Sequence, residues 1–499
     1  MIKKYFPYTK PREGQIESII NILKAIEENN YKFICLDAQT GFGKTAIAQT
    51  INNYYTQEYN YDSYILTSTK ILQEQYLKDT TTNNKFKINY QIAKGKGNYS
   101  CSQSYQKCDK CNTDDTITKC EYKINSKKLD YYNGCEYWNA KIKTINSDTA
   151  LLNYSLKIAD EYYGVNHYQQ RNLGILDEAH NIESTITNAI SLELTQKEIR
   201  KNDIINQDNL IPALENILEN TKNRTKQTQI INTLKLIKKD PYNWTITQFN
   251  NNITIKPIYI TNYTKDLLLK NTSEITIFMS GSFIETDQFI KDLGITEEVY
   301  IEKPKNKFNF PKNNPIIIYT AGSMGWEKRN TTIPKTYEKL EKIFNKHKKE
   351  KGIIHTHKKE YTKNIIKHFK NTKHNNRLTT NLNQHKKSKK PLILVSHNLQ
   401  EGVDFKYDEC RFQVLYKAPF LPLNDNQIRK RMEFDPEWYS IKAMQKFQQI
   451  YGRGMRAEDD YCKNYLLDSG FFRIIHPDNP YLPLEIEQAI QNNPYNTYN

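Results

Sequence analysis

The apolar run Phe33-Ile34-Cys35-Leu36 passes almost directly into Ala38-Gln39-Thr40-Gly41-Phe42-Gly43-Lys44-Thr45, and this join constrains the fold more than any other stretch. The run predicts a short buried strand. Glycines beyond it let backbone N–H groups turn toward phosphate oxygens, a lysine reaches the β and γ oxygens, and the next hydroxyl suits a magnesium ion. Ala38 stands where the general pattern has glycine, but the tight end of the loop, Gly41, Gly43, Lys44 and Thr45, is intact. A strand feeding such a loop belongs in a parallel sheet covered by helices.

A second element agrees. In Ile175-Leu176-Asp177-Glu178-Ala179-His180 an apolar strand ends in two carboxylates, the place for a magnesium-binding aspartate and a water-activating glutamate. Together the two stretches predict ATP and Mg²⁺ as ligands. Strands and helices alternate around them: Arg12 and Gln15 precede a helix with Ile16, Ile19, Ile20, Leu23 and Ile26 on one face, and Tyr64-Ile65-Leu66-Thr67 runs into a polar turn and another helix.

From Gly95 to Cys135 the pattern lapses. Five of the eight cysteines, Cys101, Cys108, Cys111, Cys120 and Cys135, fall in this polar, lysine-rich stretch. A chain that opens without a secretory segment does not call for a disulfide framework. Clustered thiols with a Cys-x-x-Cys pair suit four-thiolate iron-sulfur ligation or structural zinc. Cys35, Cys410 and Cys462 stand in apolar contexts and read as small core residues.

Residues 190–250 are rich in helix formers, with Leu210, Leu214, Ile217 and Leu218 at helical spacing, and predict a helical insertion. Sheet pattern resumes at Ile275-Thr276-Ile277-Phe278-Met279, followed by Ser280-Gly281-Ser282. A Lys-, Asn- and Pro-rich linker over residues 303–315 leads to a second α/β unit, with strands expected at 316–319, 352–356, 392–395 and 412–416. In Gln449-Ile450-Tyr451-Gly452-Arg453-Gly454-Met455-Arg456, Arg453 and Arg456 are three apart and share a face if the segment is helical. Two guanidiniums so far in sequence from the phosphate loop suit an arginine-finger role, reaching the γ-phosphate when the units close. A formal net charge of +16 favours a polyanionic partner, and no apolar run approaches a membrane span.

These segments resemble the iron-sulfur helicases of superfamily 2, the DinG/XPD type. Arg12 and Gln15 resemble that family's nucleotide-contacting segment, residues 38–45 its motif I, 67–75 motif Ia, 177–180 motif II, 280–282 motif III, 401–404 motif V and 449–456 motif VI. Gly95-Lys96-Gly97-Asn98-Tyr99-Ser100-Cys101 and Gly134-Cys135-Glu136-Tyr137 resemble the segments around its first and last cluster ligands. Motif III reads Ser-Gly-Ser where the family has Ser-Ala-Thr. The resemblance implies an α/β fold of two RecA-like motor domains: 1–300, interrupted by a cluster insertion at 95–137 and a helical arch at about 190–250, and 301–499. It implies that Lys44, Asp177, Glu178, Gln449, Arg453 and Arg456 carry ATP hydrolysis, that Arg12, Gln15, Gly41, Gly43, Lys44, Thr45 and Asp404 hold the nucleotide, and that Thr45 and Asp177 hold Mg²⁺. A 4Fe-4S cluster would sit on Cys101, Cys108, Cys111 and Cys135, with Cys120 as substitute and zinc as the other metal. The expected partners are single-stranded and forked DNA, traversed 5′ to 3′ by a monomer and without a membrane. An RNA helicase and a translocating clamp without strand separation are the rival readings. The biased composition and compact length suit a phage or mobile element, and the expected location is cytoplasmic, the host cytoplasm if phage-encoded.

Overall fold

The computed structural model describes residues 2–39, 41–82, 84–101, 106–108, 135–199, 205–249, 252–304, 310–399, 403, 405–455 and 459–491. Its strands are β1 (Phe33–Asp37), β2 (Ser63–Thr67), β3 (Tyr90–Ile92), β4 (Thr149–Asn153), β5 (Arg171–Asp177), β6 (Leu192–Leu194), β7 (Trp244–Phe249), β8 (Asn252–Pro257), β9 (Ser273–Ser280), β10 (Val299–Glu302), β11 (Ile316–Gly322), β12 (Gly352–His355), β13 (Leu378–Thr379), β14 (Ile393–Ser396), β15 (Phe412–Leu415), β16 (Lys463–Asp468) and β17 (Ile490–Gln491).

Two seven-stranded sheets, each parallel throughout, form two units, as the alternating pattern predicted. The first runs β10-β1-β9-β5-β2-β4-β3, the second β13-β14-β12-β15-β16-β11-β17. Ile34, Cys35, Leu36, Ile175 and Leu176 are fully buried, because helices cover both faces of the first sheet and leave its strands no solvated side. Register brings Asp37 beside Ser280 and Asp177 beside Met279, so the loops after β1, β5 and β9 leave one edge together. Buried Arg171 fastens the opposite end, donating to the carbonyls of Ser63 at 3.0 Å, Thr144 at 3.0 Å and Ser147 at 2.7 Å. These carbonyls belong to the first residue of β2 and to the helix end and turn that lead into β4, so one guanidinium ties the starts of neighbouring strands together.

The segment expected as a helical insertion does hold two helices, Leu210–Asn220 and Arg224–Lys239, but they pack with the antiparallel sheet β6-β8-β7. Alternation in Asn252–Pro257, where Ile253 and Ile255 are buried, is a period-two signal that the leucine spacing nearby obscured. Cys35, Cys410 and Cys462 are core residues as expected, the last two with sulfurs 3.8 Å apart. Among the described residues no helix is long and apolar enough to cross a membrane.

Candidate active site

The phosphate loop is held from behind. Gly41 and Gly43 have φ of 90° and 89°, the left-handed backbone that glycine adopts without strain. Gln15 Nε2 donates to the carbonyls of Phe42 at 2.8 Å and Gly43 at 3.3 Å, while Arg12 Nη1 donates to the Gly41 carbonyl. With these carbonyls engaged and the Phe42 amide given to the Gln39 carbonyl at 3.1 Å, the loop is fixed in shape, and the helix Lys44–Tyr59 adds its positive N-terminal end. Lys44 Nζ donates to the Ala38 carbonyl at 3.2 Å and lines the cleft.

Across the cleft, Asp177 ends β5 and is almost wholly buried. Its carboxylate accepts from Tyr76 Oη at 2.8 Å and the Glu178 amide at 2.9 Å. Burial, then the neighbouring Glu178 charge, push its pKa up to about 6, against Lys44, which pulls it down. A buried carboxylate in one cavity with the Thr45 hydroxyl supplies the oxygen ligands a magnesium ion takes, and binding one would offset the cost of its burial. Glu178 has φ of 53°, uncommon for a non-glycine residue, and its side chain lines the cleft beside Asp177. Asn181 donates to His180 Nε2 at 2.9 Å, so the ring proton sits on Nδ1 and is donated to Ser280 Oγ at 2.8 Å, with a Glu178 oxygen 3.4 Å away.

The second unit reaches this network through the helix Pro436–Tyr451, begun by an Asp435 cap on the Trp438 amide. Gln445 Nε2 donates to the Ser282 carbonyl at 2.6 Å and Gln449 Nε2 to the Ser282 hydroxyl at 3.3 Å. The Ser-Gly-Ser segment therefore links the carboxylate loop to the second unit. Arg453 is not on that helix. It lies on the tight turn Gly452–Gly454, buried, donating to the carbonyls of Val403 at 3.4 Å and Leu399 at 3.5 Å. The helical-face argument for Arg453 and Arg456 thus fails, since Gly452 ends the helix before either residue. Arg456 and Asp404 lie outside the described residues, as does Thr40.

One cavity of about 620 Å³ gathers Arg12, Gln15, Gly41, Gly43, Lys44, Thr45, Asp177, Glu178, Gln449 and Arg453, and with them Phe6, Tyr8, His180 and Ser282. Tyr76 carries no signal in the sequence; an aromatic in a polar helix reads as packing until the fold sets its hydroxyl against Asp177. Gln445 is equally silent. Position at i−4 from Gln449 was the available clue.

In the cysteine segment Ser100 pairs with Lys107, the Cys101 amide donates to the Gln106 carbonyl at 2.7 Å and the Cys108 amide to the Tyr99 carbonyl at 2.9 Å. This places Cys101 and Cys108 on the facing arms of one antiparallel bridge. Cys135 precedes the helix Glu136–Ile145, and both Cys108 and Cys135 lie close enough to Tyr137 to raise its pKa, after burial and the Asp160 charge. Among the described residues no three ligating side chains form a metal-binding group; Cys111 and Cys120 lie outside them.

A family described as "Helicase C-terminal domain" matches residues 331–475, and one described as "Type III restriction enzyme, res subunit" matches residues 8–208. No curated protein sequence matches the chain. Among solved structures an XPD helicase aligns at TM-score 0.64 and 16% identity, over 93% of this chain and 97% of that one. Xpd4 of S. tokodaii aligns at 0.60 and 15%, over 92% and 96%. Family matches in both units and the assembled cleft agree with the shared fold: the second unit carries a helicase C-terminal domain, the first a match to the res subunit of type III restriction enzymes, and the whole has the fold of XPD helicases.

Proposed function

We propose that this ATP-driven helicase acts on DNA, moving 5′ to 3′ along a single strand as a monomer and parting duplexes at forks. The observation that carries the motor is the cleft itself: Lys44 and Asp177 from one unit face Arg453 from the other across one cavity. Lys44 and the loop amides bind the phosphates, Thr45 and Asp177 would hold Mg²⁺, and Glu178 takes the proton of the attacking water. Mg²⁺, when bound, screens the phosphate charge. Arg453 neutralises charge that develops on the transferred phosphoryl group, which makes hydrolysis depend on closure of the units. DNA and polarity rest on the likeness to XPD-type proteins.

The same reading gives the cysteine segment a 4Fe-4S cluster on Cys101, Cys108, Cys111 and Cys135, with Cys120 as substitute or zinc as the metal. In favour stand the facing arms of Cys101 and Cys108 and the shared neighbour of Cys108 and Cys135. Its role would be to hold the insert together, as four-thiolate sites do. Iron, sulfide and zinc analysis of anaerobically purified protein tests this; about four irons and four sulfides per chain support a cluster, stoichiometric zinc without sulfide replaces it.

Unwinding of forked DNA and RNA, each with 5′ or 3′ single-stranded arms, tests the motor. Preferential unwinding of DNA with a 5′ arm supports the proposal. Stronger action on RNA overturns the substrate, and strand-stimulated ATP hydrolysis without unwinding overturns helicase action in favour of a translocating clamp.

A further inference from the structure

Away from the ATP cleft, the loops beyond the carboxyl ends of β11, β12 and β15 form a second place where a ligand can be held, the usual location for binding in parallel sheets. After β11 the chain presents Trp326, 78% exposed, with the Arg329 guanidinium 3.9 Å from its ring centre. An exposed indole backed on one face by a planar cation leaves the other face open. Lys417, beyond β15, donates to the Met324 carbonyl at 2.8 Å, and its pKa is lowered by burial and by Lys358 and Arg329, which outweigh Asp468. That one buried carboxylate is engaged, accepting from the amides of Met324 at 2.9 Å, Ala418 at 3.0 Å and Gly470 at 2.9 Å. Glu327 and Glu360 are exposed at the rim.

Beyond β12, His357 has φ of 57° and a buried Nε2 with no hydrogen-bond partner among the described residues. Lys417 and Lys446 lie near it, and with burial they hold its ring neutral, its pKa down to about 4. Lys358, Arg329 and Lys417 gathered at one strand end are stabilised by an anion, and an open aromatic face beside them takes a planar base. Single-stranded nucleic acid offers both at adjoining positions.

We propose that Trp326, with Arg329 stacked behind it, is a base-stacking platform for single-stranded nucleic acid, and that Lys358 and Lys417 take the adjoining phosphates. This rests on the motor reading above and adds a place where the second unit grips the strand. Lys446, beside His357, belongs to the helix Pro436–Tyr451, whose Gln445 and Gln449 touch Ser282, so one helix runs from the neighbourhood of this site to the ATP cleft.

The test is binding of labelled oligothymidylate, and of an abasic strand with the same phosphates, to the full chain and to Trp326→Ala and Trp326→Phe, with melting temperatures as the check on folding. Trp326→Ala should weaken oligothymidylate binding about tenfold or more, the range for one lost base stack. Trp326→Phe should retain most of the affinity but lose the quenching of tryptophan fluorescence that oligothymidylate causes in the parent. The abasic strand should bind all three proteins alike. Equal binding of oligothymidylate by folded Trp326→Ala, or quenching that persists in Trp326→Phe, overturns the platform and leaves the motor reading standing. A parent chain that binds neither strand overturns both. Weakened binding of the two strands in parallel also overturns the platform, pointing to a protein-docking or purely structural tryptophan.

Discussion

Gly43 shows how narrowly the nucleotide loop is built. A methyl group there would collide with Gln15 Nε2, on a backbone whose φ of 89° already resists side chains. Gly43→Ala should displace Gln15 and cost ATP affinity, read by nucleotide titration, whereas Lys44→Ala should abolish hydrolysis through loss of the charge that meets the β and γ oxygens. Glu178→Gln keeps the shape and loses the base. We expect it to bind ATP and turn over about 100-fold more slowly or worse, as loss of general-base catalysis does; normal turnover in that variant would remove Glu178 from the mechanism. His355 supplies a pH prediction. It is buried, donates to Gln413 Oε1 at 2.9 Å, and is held to a pKa of about 3 by burial and then by Arg453. The unfolded residue takes a proton near pH 6.5, the folded one only far below, so acid favours the unfolded state. Its contribution is complete above that pH and is lost as pH falls, by up to about 1.4 kcal/mol per pH unit. Denaturant melts at descending pH should show this, and His355→Gln should flatten the dependence.

At the scale of elements, the helices Asn426–Phe434 and Pro436–Tyr451 fasten the second unit to the first and to its inserted sheet. Lys442 pairs with Glu183 at 2.7 Å, Trp438 Nε1 donates to the same carboxylate at 3.0 Å, and Arg431 pairs with Asp292. Lys256 of β8 reaches Asp425 at 2.6 Å. Glu183 is held ionised because Lys442 and Arg431 outweigh its burial, while burial and the Glu183 charge push Asp292 up to about 6. Removing one member of such a buried pair strands the other. Arg431→Met should cost about 3–5 kcal/mol, and Arg431→Met with Asp292→Asn should recover much of it, since the uncompensated carboxylate is then gone. A double-mutant cycle in denaturant measures the coupling; strict additivity would mean the contact is not energetically shared.

For the whole molecule, Ser282 is where the second unit touches the loops of the ATP cleft. Its carbonyl and hydroxyl are the meeting point of Gln445 and Gln449 with the loop that also holds His180 and Glu178. Gln445→Ala should leave ATP affinity within about threefold, as the residue is absent from the phosphate-binding shell, yet lower nucleic-acid stimulation of hydrolysis by about tenfold, roughly the worth of one buried hydrogen bond. Unchanged stimulation would show that the units communicate by another route. Strand binding should weaken steeply with salt, each neutralised phosphate contributing to the slope.

What the sequence determined by itself is the chemistry held in short range. Gly41, Gly43, Lys44 and Thr45 owe their role to the loop they form with one another, and Asp177 and Glu178 to the strand end they share, so spacing alone displayed them. The parallel sheets were legible for the same reason, because strands buried on both faces must be apolar along their length. Tertiary structure decided what depends on distant partners: Tyr76 becomes a support of Asp177, Gln445 a contact of Ser282, and Arg453 a cleft residue presented by a turn that Gly452 opens. Alternation in the inserted sheet was hidden beneath helix-forming neighbours until β6 and β7 closed on β8. Local patterns record backbone geometry within a few residues; contacts more than a hundred residues apart leave no periodic trace, and only the packing of two units around one cleft supplies them.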